Sequence, residues 1–322
     1  MKENHKQRLF LGLDTSAYTT SLALVDQDEK LIIDSRLPLL VKKGSLGLRQ
    51  SEAVFNHIIN LPQLWQKEVK ALDNTILTAI AVSTRPRPVD GSYMPVFKVS
   101  EAFGLFLAQT MGLCYFPSSH QEGHIFAGLW SVGLPQGRYL VIHLSGGTTE
   151  LVSSEEIISG RLTLELLGGS TDLHAGQFVD RLGLAMDLDF PAGPKLEELA
   201  RQSGTDLPEL PVAVKGCGIS FSGPASHAER LLKQNCRREN LARAIEICIA
   251  DSLIAAVNNC PENPANYQGL LTIGGVAANH FIRERLKQKL TGWNLFSPRP
   301  ELASDNAVGL AVQAARLHSV NY

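Results

Sequence analysis

Two histidines four residues apart, His120 and His124, are the residues of this sequence whose spacing first suggests metal-ion chemistry. On a helix, residues at i and i+4 lie on one face, so both imidazoles would reach a single divalent cation. The motif His120-Gln-Glu-Gly-His124 differs from the zinc-protease motif His-Glu-x-x-His, because its glutamate comes one place late. We therefore reject a metalloprotease. The pair alone also fits one packed and one exposed histidine, and a metal site needs a third ligand that the pair does not name.

Three apolar segments end in tight turns, at residues 11–16, 141–147 and 271–279, and the last two contain Gly-Gly pairs. A Gly-Gly pair lets backbone N–H groups approach a ligand closely, because no Cβ atom intervenes. Three such turns, spread over most of the chain, predict one nucleotide held in a cleft between two related halves. Taken alone, Ser145-Gly-Gly147 fits both a cradle for phosphate or carboxylate and a plain β-turn.

Asp14 and Asp180 are acidic groups of the kind that orient ribose hydroxyls or a cation. Asp14 follows the first apolar segment, and Asp180 falls within a helix predicted at 171–188. Each also fits a helix cap or a surface charge, so neither defines a site by itself.

The elements that must position these residues follow from hydrophobic spacing. Strands are predicted at 9–13, 20–25, 76–82, 140–144, 150–152, 162–167 and 269–273. Helices are predicted at 51–69, 96–111, 171–188, 240–258, 279–290 and 304–318. Pro62 should end or kink the first helix, the second is apolar on most faces and should be buried, and Ser304-Asp-Asn306 is a good N-cap for the last. Strand hairpins that open each half, followed by helices, predict an α/β fold with a duplicated core.

Length and composition indicate an ordinary globular protein of about two domains, since 322 residues exceed the usual size of one core. Glycine, proline and serine interrupt the pattern near 128–136, which predicts the boundary there. The net charge of −2 shows no global basic field for nucleic acid. A local basic cluster fits either a binding patch or a solvated helix face, and we favour the latter. Its members are Arg230, Lys233, Arg237, Arg238 and Arg243.

The five cysteines are odd in number and have no Cys-x-x-Cys spacing, which is typical of reduced thiols and favours the cytosol. Residues 1–8 are polar and charged, and the apolar run after them is short and broken by Asp14. We therefore expect neither a signal peptide nor a membrane span.

Six motifs together resemble the tRNA threonylcarbamoyladenosine synthases, the glycoprotease-like family, and they occur in that family's order over residues 9–318. The motifs are Gly12-Leu-Asp-Thr-Ser16, His120-x-x-x-His124, Leu144-Ser-Gly-Gly147, Ser220-Phe-Ser-Gly223, Gly274-Gly-Val-Ala-Ala-Asn279 and Ser304-Asp-Asn306. The resemblance implies the actin/Hsp70/sugar-kinase fold, with two duplicated lobes built on mixed sheets and a nucleotide cleft between them. The lobes would be residues 8–130, with the helix 304–318 packing back on them, and residues 131–303.

The resemblance also implies a function: transfer of a threonylcarbamoyl group from threonylcarbamoyl-adenylate to the adenosine beside the anticodon of tRNA. The implied metal ligands are His120, His124 and Asp305, for iron or zinc. The implied contacts to the acyl-adenylate are His143, Leu144, Ser145, Gly146, Gly147, Asp180, Gly193, Glu197, Gly274, Gly275 and Asn279. Asp180 would bind the ribose, and Asn279 would close over the adenine. Implied partners are tRNA, a smaller homologous actin-like subunit and an ATPase, in the cytoplasm and without a membrane.

Several cleft motifs depart from the family pattern. Two acidic groups are absent from Thr15-Ser-Ala-Tyr-Thr-Thr20, a Gly-Pro-Gly loop is replaced by Arg85-Pro-Arg-Pro88, and a histidine is replaced by Thr148. The runs Thr171–Gln177 and Pro224–Ala225 also differ. These changes predict a diverged paralogue. The alternative to the transfer reaction is a non-catalytic or altered-specificity nucleotide-binding protein that pairs with or regulates a true synthase.

Overall fold

The computed structural model describes residues 6–16, 18–41, 47–68, 72 and 75–321, which form two mixed β-sheets with helices packed on them. The strands are β1 (Gln7–Ser16), β2 (Thr19–Asp26), β3 (Leu31–Pro38), β4 (Thr75–Arg85), β5 (Cys114–Ser119), β6 (Arg138–Leu144), β7 (Thr149–Ile158), β8 (Arg161–Ser170), β9 (Ala213–Lys215), β10 (Gly218–Ser220), β11 (Gly269–Ile273) and β12 (Leu295–Phe296). The helices are α1 (Gln50–Glu68), α2 (Phe97–Met111), α3 (His120–Ser131), α4 (Ala175–Ala185), α5 (Gly193–Ala200), α6 (Ser222–Lys233), α7 (Arg238–Asn258), α8 (His280–Lys289), α9 (Pro300–Ala303) and α10 (Val308–Asn321).

The two sheets repeat one topology. The first has the order β3-β2-β1-β4-β5, with β1, β2 and β3 antiparallel and with β4 and β5 parallel to β1. In the second, β6, β7 and β8 are antiparallel, β11 and β12 run parallel to β6, and β10 and β9 extend the far edge. This repetition confirms the predicted α/β fold with a duplicated core.

The C-terminal helix α10 packs on β1, β2 and β4 of the first sheet and on α3. Two glycines permit these close approaches. A Cβ atom on Gly12 of β1 would lie 2.2 Å from the carbonyl oxygen of Ala307, and one on Gly309 would lie 1.9 Å from that of Gly123 in α3. The helix begins at Val308 rather than at residue 304, and the N–H of Val308 donates to the side chain of Asn306. The predicted cap sequence therefore contains the residue that caps the helix.

Pro62 was expected to end or kink α1. It does not end the helix, because α1 buries Ala53, His57, Leu61 and Leu64 and this packing holds it on both sides of the proline. Residue 69, the predicted end, lies outside the described residues. Helix α2 is not buried all round either. It packs one face on β1 and β4, and on the other face Leu105 and Phe106 are exposed.

The predicted helix 171–188 is also wrong at its start, because β8 continues to Ser170 and α4 begins only at Ala175. Hydrogen bonds connect the intervening turn to β10, the neighbour of β8 in the sheet. The carboxylate of Asp172 accepts hydrogen bonds from the hydroxyl of Ser220 and the N–H of Phe221. Burial of Asp172 raises its pKa, but these bonds lower it to about 2. Strands β3, β5, β9, β10 and β12 were not predicted.

Helix α3 lies between the two sheets, since it packs on α10 and also on β11. Gly128, where the predicted boundary region begins, is inside this helix, and a Cβ atom there would lie 3.0 Å from Ile273 of β11. The lobe boundaries at 130/131 and 303/304 stay predictions. Among the described helices, none combines the length and apolar character that a bilayer span requires.

Candidate active site and metal centre

A cavity of about 800 Å³ lies at the ends of the parallel strands β1, β4 and β5 of the first sheet and β6 and β11 of the second. Ser16 ends β1, Pro86 follows β4, His120 follows β5, Ser145 follows β6 and Gly275 follows β11. Ligands of α/β proteins bind outside the carboxyl ends of strands. The volume falls in the range of small-molecule and cofactor sites. The cavity is therefore the candidate active site.

His120 and His124 lie on the first turns of α3, as their spacing predicted. The helix starts with a capping box, in which Ser119 and Glu122 each accept a hydrogen bond from the other's backbone N–H. This cap fixes the position of His120 at the cavity wall. His124 lies one turn deeper and is buried, with the two ring centroids 4.5 Å apart.

Asp305 reaches the same point from the far end of the chain. Its Oδ1 atom lies 3.6 Å from Nε2 of His120 and 3.4 Å from Nε2 of His124. The tight packing of α10 on α3 brings the segment before α10 to this place. Arg36 of β3 holds the segment there by donating to the carbonyl oxygens of Glu301 and Asp305.

Buried Asp14 at the end of β1 orients His120. Its Oδ1 atom lies 3.0 Å from Nδ1 of His120, which leaves Nε2 of the ring facing Asp305. A carboxylate behind a histidine in this way is typical of metal sites, because it fixes the tautomer and the ring orientation. Burial disfavours protonation of His120, but Asp14 and Asp305 raise its pKa to about 9. Burial raises the pKa of Asp305. His124 and His120 outweigh this effect and hold the pKa of that carboxyl below its usual range.

These residues fit a divalent metal ion. One ligand atom from each of His120, His124 and Asp305 lies within 4.8 Å of the others, and no other such cluster occurs in the part of the chain that the structure describes. Both ring nitrogens of His124 are buried without a hydrogen-bond partner. Coordination would satisfy one of them, which removes the cost of an unpaired buried polar atom. Two imidazoles and one carboxylate suit iron or zinc.

The glycine turn after β6 faces the cavity. Ser145, Gly146 and Gly147 line it, as does His143 at the end of the strand, whereas Leu144 points into the core and has no exposure. The N–H groups of Gly146 and Gly147 make no hydrogen bond to the described residues. Added Cβ atoms on either glycine would meet nothing within 4 Å. The turn can therefore present backbone donors to an anion.

His143 is a third imidazole beside the pair, with its ring 5.3 Å from that of His124. Its two nitrogens are buried and unpartnered. Burial, then the charges of His124, His120 and Arg87, lowers the pKa of His143 well below its usual value. The ring is therefore neutral, and it is placed between the candidate metal ligands and the glycine turn.

The turn after β11 contributes Gly275 and Asn279 to the cavity, whereas Gly274 lies behind it. Gly274 has a φ of +93°, and a Cβ atom there would lie 2.2 Å from the carbonyl oxygen of Leu144, so only glycine fits. The side chain of Asn279 caps α8 by accepting from the N–H of Ile282. Its amide also donates to Glu246, 2.6 Å away. The structure thus brings Asn279 to the cavity with its side chain fixed.

The remaining predicted residues reach the cavity from α4 and α5. Asp180 of α4 accepts the N–H of Ala192, which positions Gly193 at the start of α5. Burial raises the pKa of Asp180. Glu197 on α5 accepts hydrogen bonds from the N–H of His280 and from Arg201. Asp180, Gly193 and Glu197 all line the cavity.

Tyr18, Glu246 and Arg87 are among the cavity residues that sequence reasoning missed. Tyr18 lies 5.4 Å from the ring of Phe190, so it reaches across from the first sheet to the second half. Glu246 is buried in the apolar helix α7, where a lone carboxylate between Ile245 and Ile247 was a usable signal. Arg87 lines the cavity from the loop after β4. The sequence analysis noted only that this loop lacks the glycines of the family pattern.

The basic cluster at 230–243 is largely solvated, as expected. Arg230, Lys233, Arg237 and Arg238 are exposed, and Arg237 and Arg238 pair with Glu239 and Asp187 respectively. Arg243 differs, because it is mostly buried against Glu246.

Comparison with known proteins shows that the chain is similar to tRNA-modifying enzymes. The family model described as TsaD, tRNA N6-adenosine threonylcarbamoyltransferase, matches residues 35–312. A tRNA N6-adenosine threonylcarbamoyltransferase of Archaeoglobus fulgidus is 28% identical over 306 residues, which cover 94% of this chain and 88% of that protein.

Solved structures share the fold at low identity. The HypF protein of T. kodakarensis superposes with a TM-score of 0.65 at 14% identity, over 98% of this chain and 48% of that one. Component A of the (R)-2-hydroxyglutaryl-CoA dehydratase of Acidaminococcus fermentans gives 0.59 at 14% identity, over 97% and 99%. A ROK-family glucokinase of Streptomyces griseus gives 0.50 at 12% identity, over 95% and 99%. These likenesses confirm the predicted actin/Hsp70/sugar-kinase fold.

Proposed function

Because the chain belongs to the tRNA N6-adenosine threonylcarbamoyltransferase family, an acyltransferase family, we propose that it modifies tRNA by transferring a threonylcarbamoyl group from threonylcarbamoyl-adenylate. The acceptor is N6 of the adenosine beside the anticodon. The N6 nitrogen bonds to the carbamoyl carbon, the bond from that carbon to the phosphate oxygen breaks, and AMP leaves. N6 loses one proton to solvent. No covalent intermediate with the protein is required.

The convergence of His120, His124 and Asp305 at one point of the cleft is the observation that carries this proposal. We propose that these three side chains hold one divalent ion, iron or zinc, with Asp14 orienting His120. When bound, such an ion polarises a carbonyl as a Lewis acid. Three protein ligands leave positions for oxygen atoms of the donor.

The chain's own groups bind and orient the adenylate. The free N–H groups of Gly146 and Gly147 suit the phosphate, since backbone donors in a glycine turn bind anions. Asp180 has one carboxylate oxygen on Ala192 and the other available for a ribose hydroxyl. The adenine base would lie beside Asn279 and Glu197, which also line the cavity. Fixing the donor in this way lowers the entropic part of the barrier to attack by the amine.

The transfer assay tests the proposal. Purified chain, threonylcarbamoyl-adenylate and unmodified tRNA are incubated, and nucleosides from the digested tRNA are separated and weighed. We expect the modified adenosine with the wild type and with His227→Ala, whose histidine lies on α6 outside the cavity. Loss of product in His120→Ala supports the site. No product from the wild type, with or without added partner proteins, rejects the transfer reaction.

The non-catalytic alternative has a separate signature. The absence of the two acidic groups from Thr15-Ser-Ala-Tyr-Thr-Thr20 is the observation that favours it. A nucleotide-binding paralogue would bind AMP yet give no modified tRNA, and its loss from the host would not change the threonylcarbamoyl content of tRNA. The cytoplasmic location, the smaller homologous subunit and the ATPase partner stay predictions.

A further inference from the structure

Arg87 is the only arginine or lysine among the described residues that line the cavity. Four carboxylates also line the cavity, from Asp180, Glu197, Glu246 and Asp305. A phosphate in such a cavity is repelled unless a cation faces it. We infer that Arg87 binds the phosphate of the adenylate in this cleft, an inference that rests on the proposed function and extends it to a residue outside the family pattern.

The position of Arg87 places its charge at the glycine turn. Its Nη2 atom lies 2.7 Å from Oε1 of Glu150, and Glu150 pairs with His143 in the ladder next to the turn at 145–148. The charge also reaches the other side of the turn. Burial, and after it the charge of Arg87, lowers the pKa of His174, which precedes α4. The first turn of α4 packs on this glycine turn, because the N–H of Gly176 donates to the carbonyl oxygen of Ser145.

Hydrogen bonds hold the loop after β4 and the side chain of Glu150, so Arg87 is oriented before a ligand binds. Gln121 connects the loop to the second sheet, since its N–H donates to the carbonyl oxygen of Pro86 and its side chain donates to Oε2 of Glu150. The N–H of Arg87 donates to Ser92. Gln121 also adjoins His120, so this network is continuous with the candidate metal site.

The guanidinium of Arg87 has donors to spare. It carries five N–H groups, and apart from the ion pair with Glu150 it has no partner among the described residues. Its side chain is 38% exposed, whereas that of Glu150 is only 8% exposed. A ligand in the cavity can therefore reach the guanidinium more easily than the carboxylate. Arginine matches the oxygens of a phosphate with two parallel hydrogen bonds.

The sequence context supports a specific role. Arg85-Pro-Arg-Pro88 stands where the resembling family has Gly-Pro-Gly, and two prolines restrict the backbone around Arg87. The same chain has Thr148 in place of a cleft histidine. The arginine therefore adds a positive donor beside a glycine turn that has no histidine of its own.

Titration of AMP and of adenosine into the full-length protein tests the inference, because the two ligands differ only in the phosphate. Calorimetry is done at equal metal content on the wild type, Arg87→Met, Glu150→Gln and Arg285→Met. We expect Arg87→Met to weaken AMP binding about tenfold to a hundredfold and to leave adenosine binding unchanged. Arg285 is an ion-paired arginine outside the cavity, and its variant should bind both ligands as the wild type does.

Glu150→Gln separates phosphate binding from a purely structural ion pair. We expect this variant to keep the preference for AMP, since the arginine remains. Equal loss of AMP and adenosine binding in Arg87→Met, loss of the AMP preference in Glu150→Gln, or a wild type that binds the two ligands equally would each overturn the inference. A failed tRNA assay with the expected AMP result would reject the transfer reaction and leave the phosphate site standing.

Discussion

Asp14 and His120 are 106 residues apart in the chain, yet their side chains meet at 3.0 Å in the interior. Asp14 lies two residues before the end of β1, the central strand of the first sheet, and His120 begins the helix after its edge strand β5. Their contact turns the other ring nitrogen of His120 toward Asp305. The orientation of the candidate metal site thus depends on the strand order of the first sheet.

Asp14→Asn should weaken metal binding without unfolding the protein. Asparagine keeps an oxygen for the N–H of Ser16, but it removes the charge that orients His120. Loss of such a partner typically costs about tenfold to a hundredfold in metal affinity. Competition of Zn²⁺ between the protein and a chromophoric chelator measures the change. Asp251→Asn, which alters an ion pair outside the cavity, is the matched control, and equal affinity in the two variants would show that Asp14 has no such role.

Gly146→Ala and Gly12→Ala should separate binding from stability. A methyl group on Gly146 meets no protein atom within 4 Å and enters the cavity, so AMP affinity should fall about tenfold or more while the free energy of unfolding changes by less than about 0.5 kcal/mol. A methyl group on Gly12 would lie 2.2 Å from the carbonyl oxygen of Ala307. Overpacking there should cost about 2 to 3 kcal/mol. Urea denaturation and AMP titration measure both effects, and a destabilised Gly146→Ala would contradict the open turn.

Stability should fall as the pH rises through the titration of Glu246. Burial, with the charge of Glu197, raises the pKa of Glu246 from 4.5 to about 7, although Asn279 and Arg243 oppose the change. Between pH 4.5 and about pH 7 the folded state binds more protons than the unfolded one. The contribution of Glu246 to stability is therefore complete below about pH 4.5 and decreases as the pH rises to about 7. The full difference corresponds to about 3 kcal/mol.

Urea unfolding between pH 5 and pH 8 measures this loss of stability. Two variants show whether Glu246 or another titrating group causes it. Glu246→Gln cannot titrate and should flatten the decrease, whereas Glu198→Gln, at an exposed position, should keep the wild-type slope. An unchanged slope in Glu246→Gln would assign the effect to another group.

The sequence predicted most of the long elements and the duplicated core, because their hydrophobic spacing is strong and local. Short strands such as β9 and β12 lack that signal, because three and two residues are too few to show a hydrophobic alternation. Pro62 shows another limit, because burial of Leu61 and Leu64 outweighs the local preference against proline in a helix.

The metal ligands followed from a resemblance, whereas the groups that support them did not. Contacts such as Asp14 with His120, Asn279 with Glu246 and Arg87 with Glu150 join elements that are far apart in the chain and meet only in the folded protein. Spacing along the chain carries no information about them.

Metal content of the purified protein tests most directly whether His120, His124 and Asp305 form one site. The chain is loaded with Zn²⁺ or, without oxygen, with Fe²⁺, desalted and measured by plasma mass spectrometry. We predict about one ion per chain for the wild type and for His227→Ala, and no stoichiometric ion for His124→Ala or Asp305→Ala. A wild type without bound metal, or variants that retain the wild-type ion, would contradict the account.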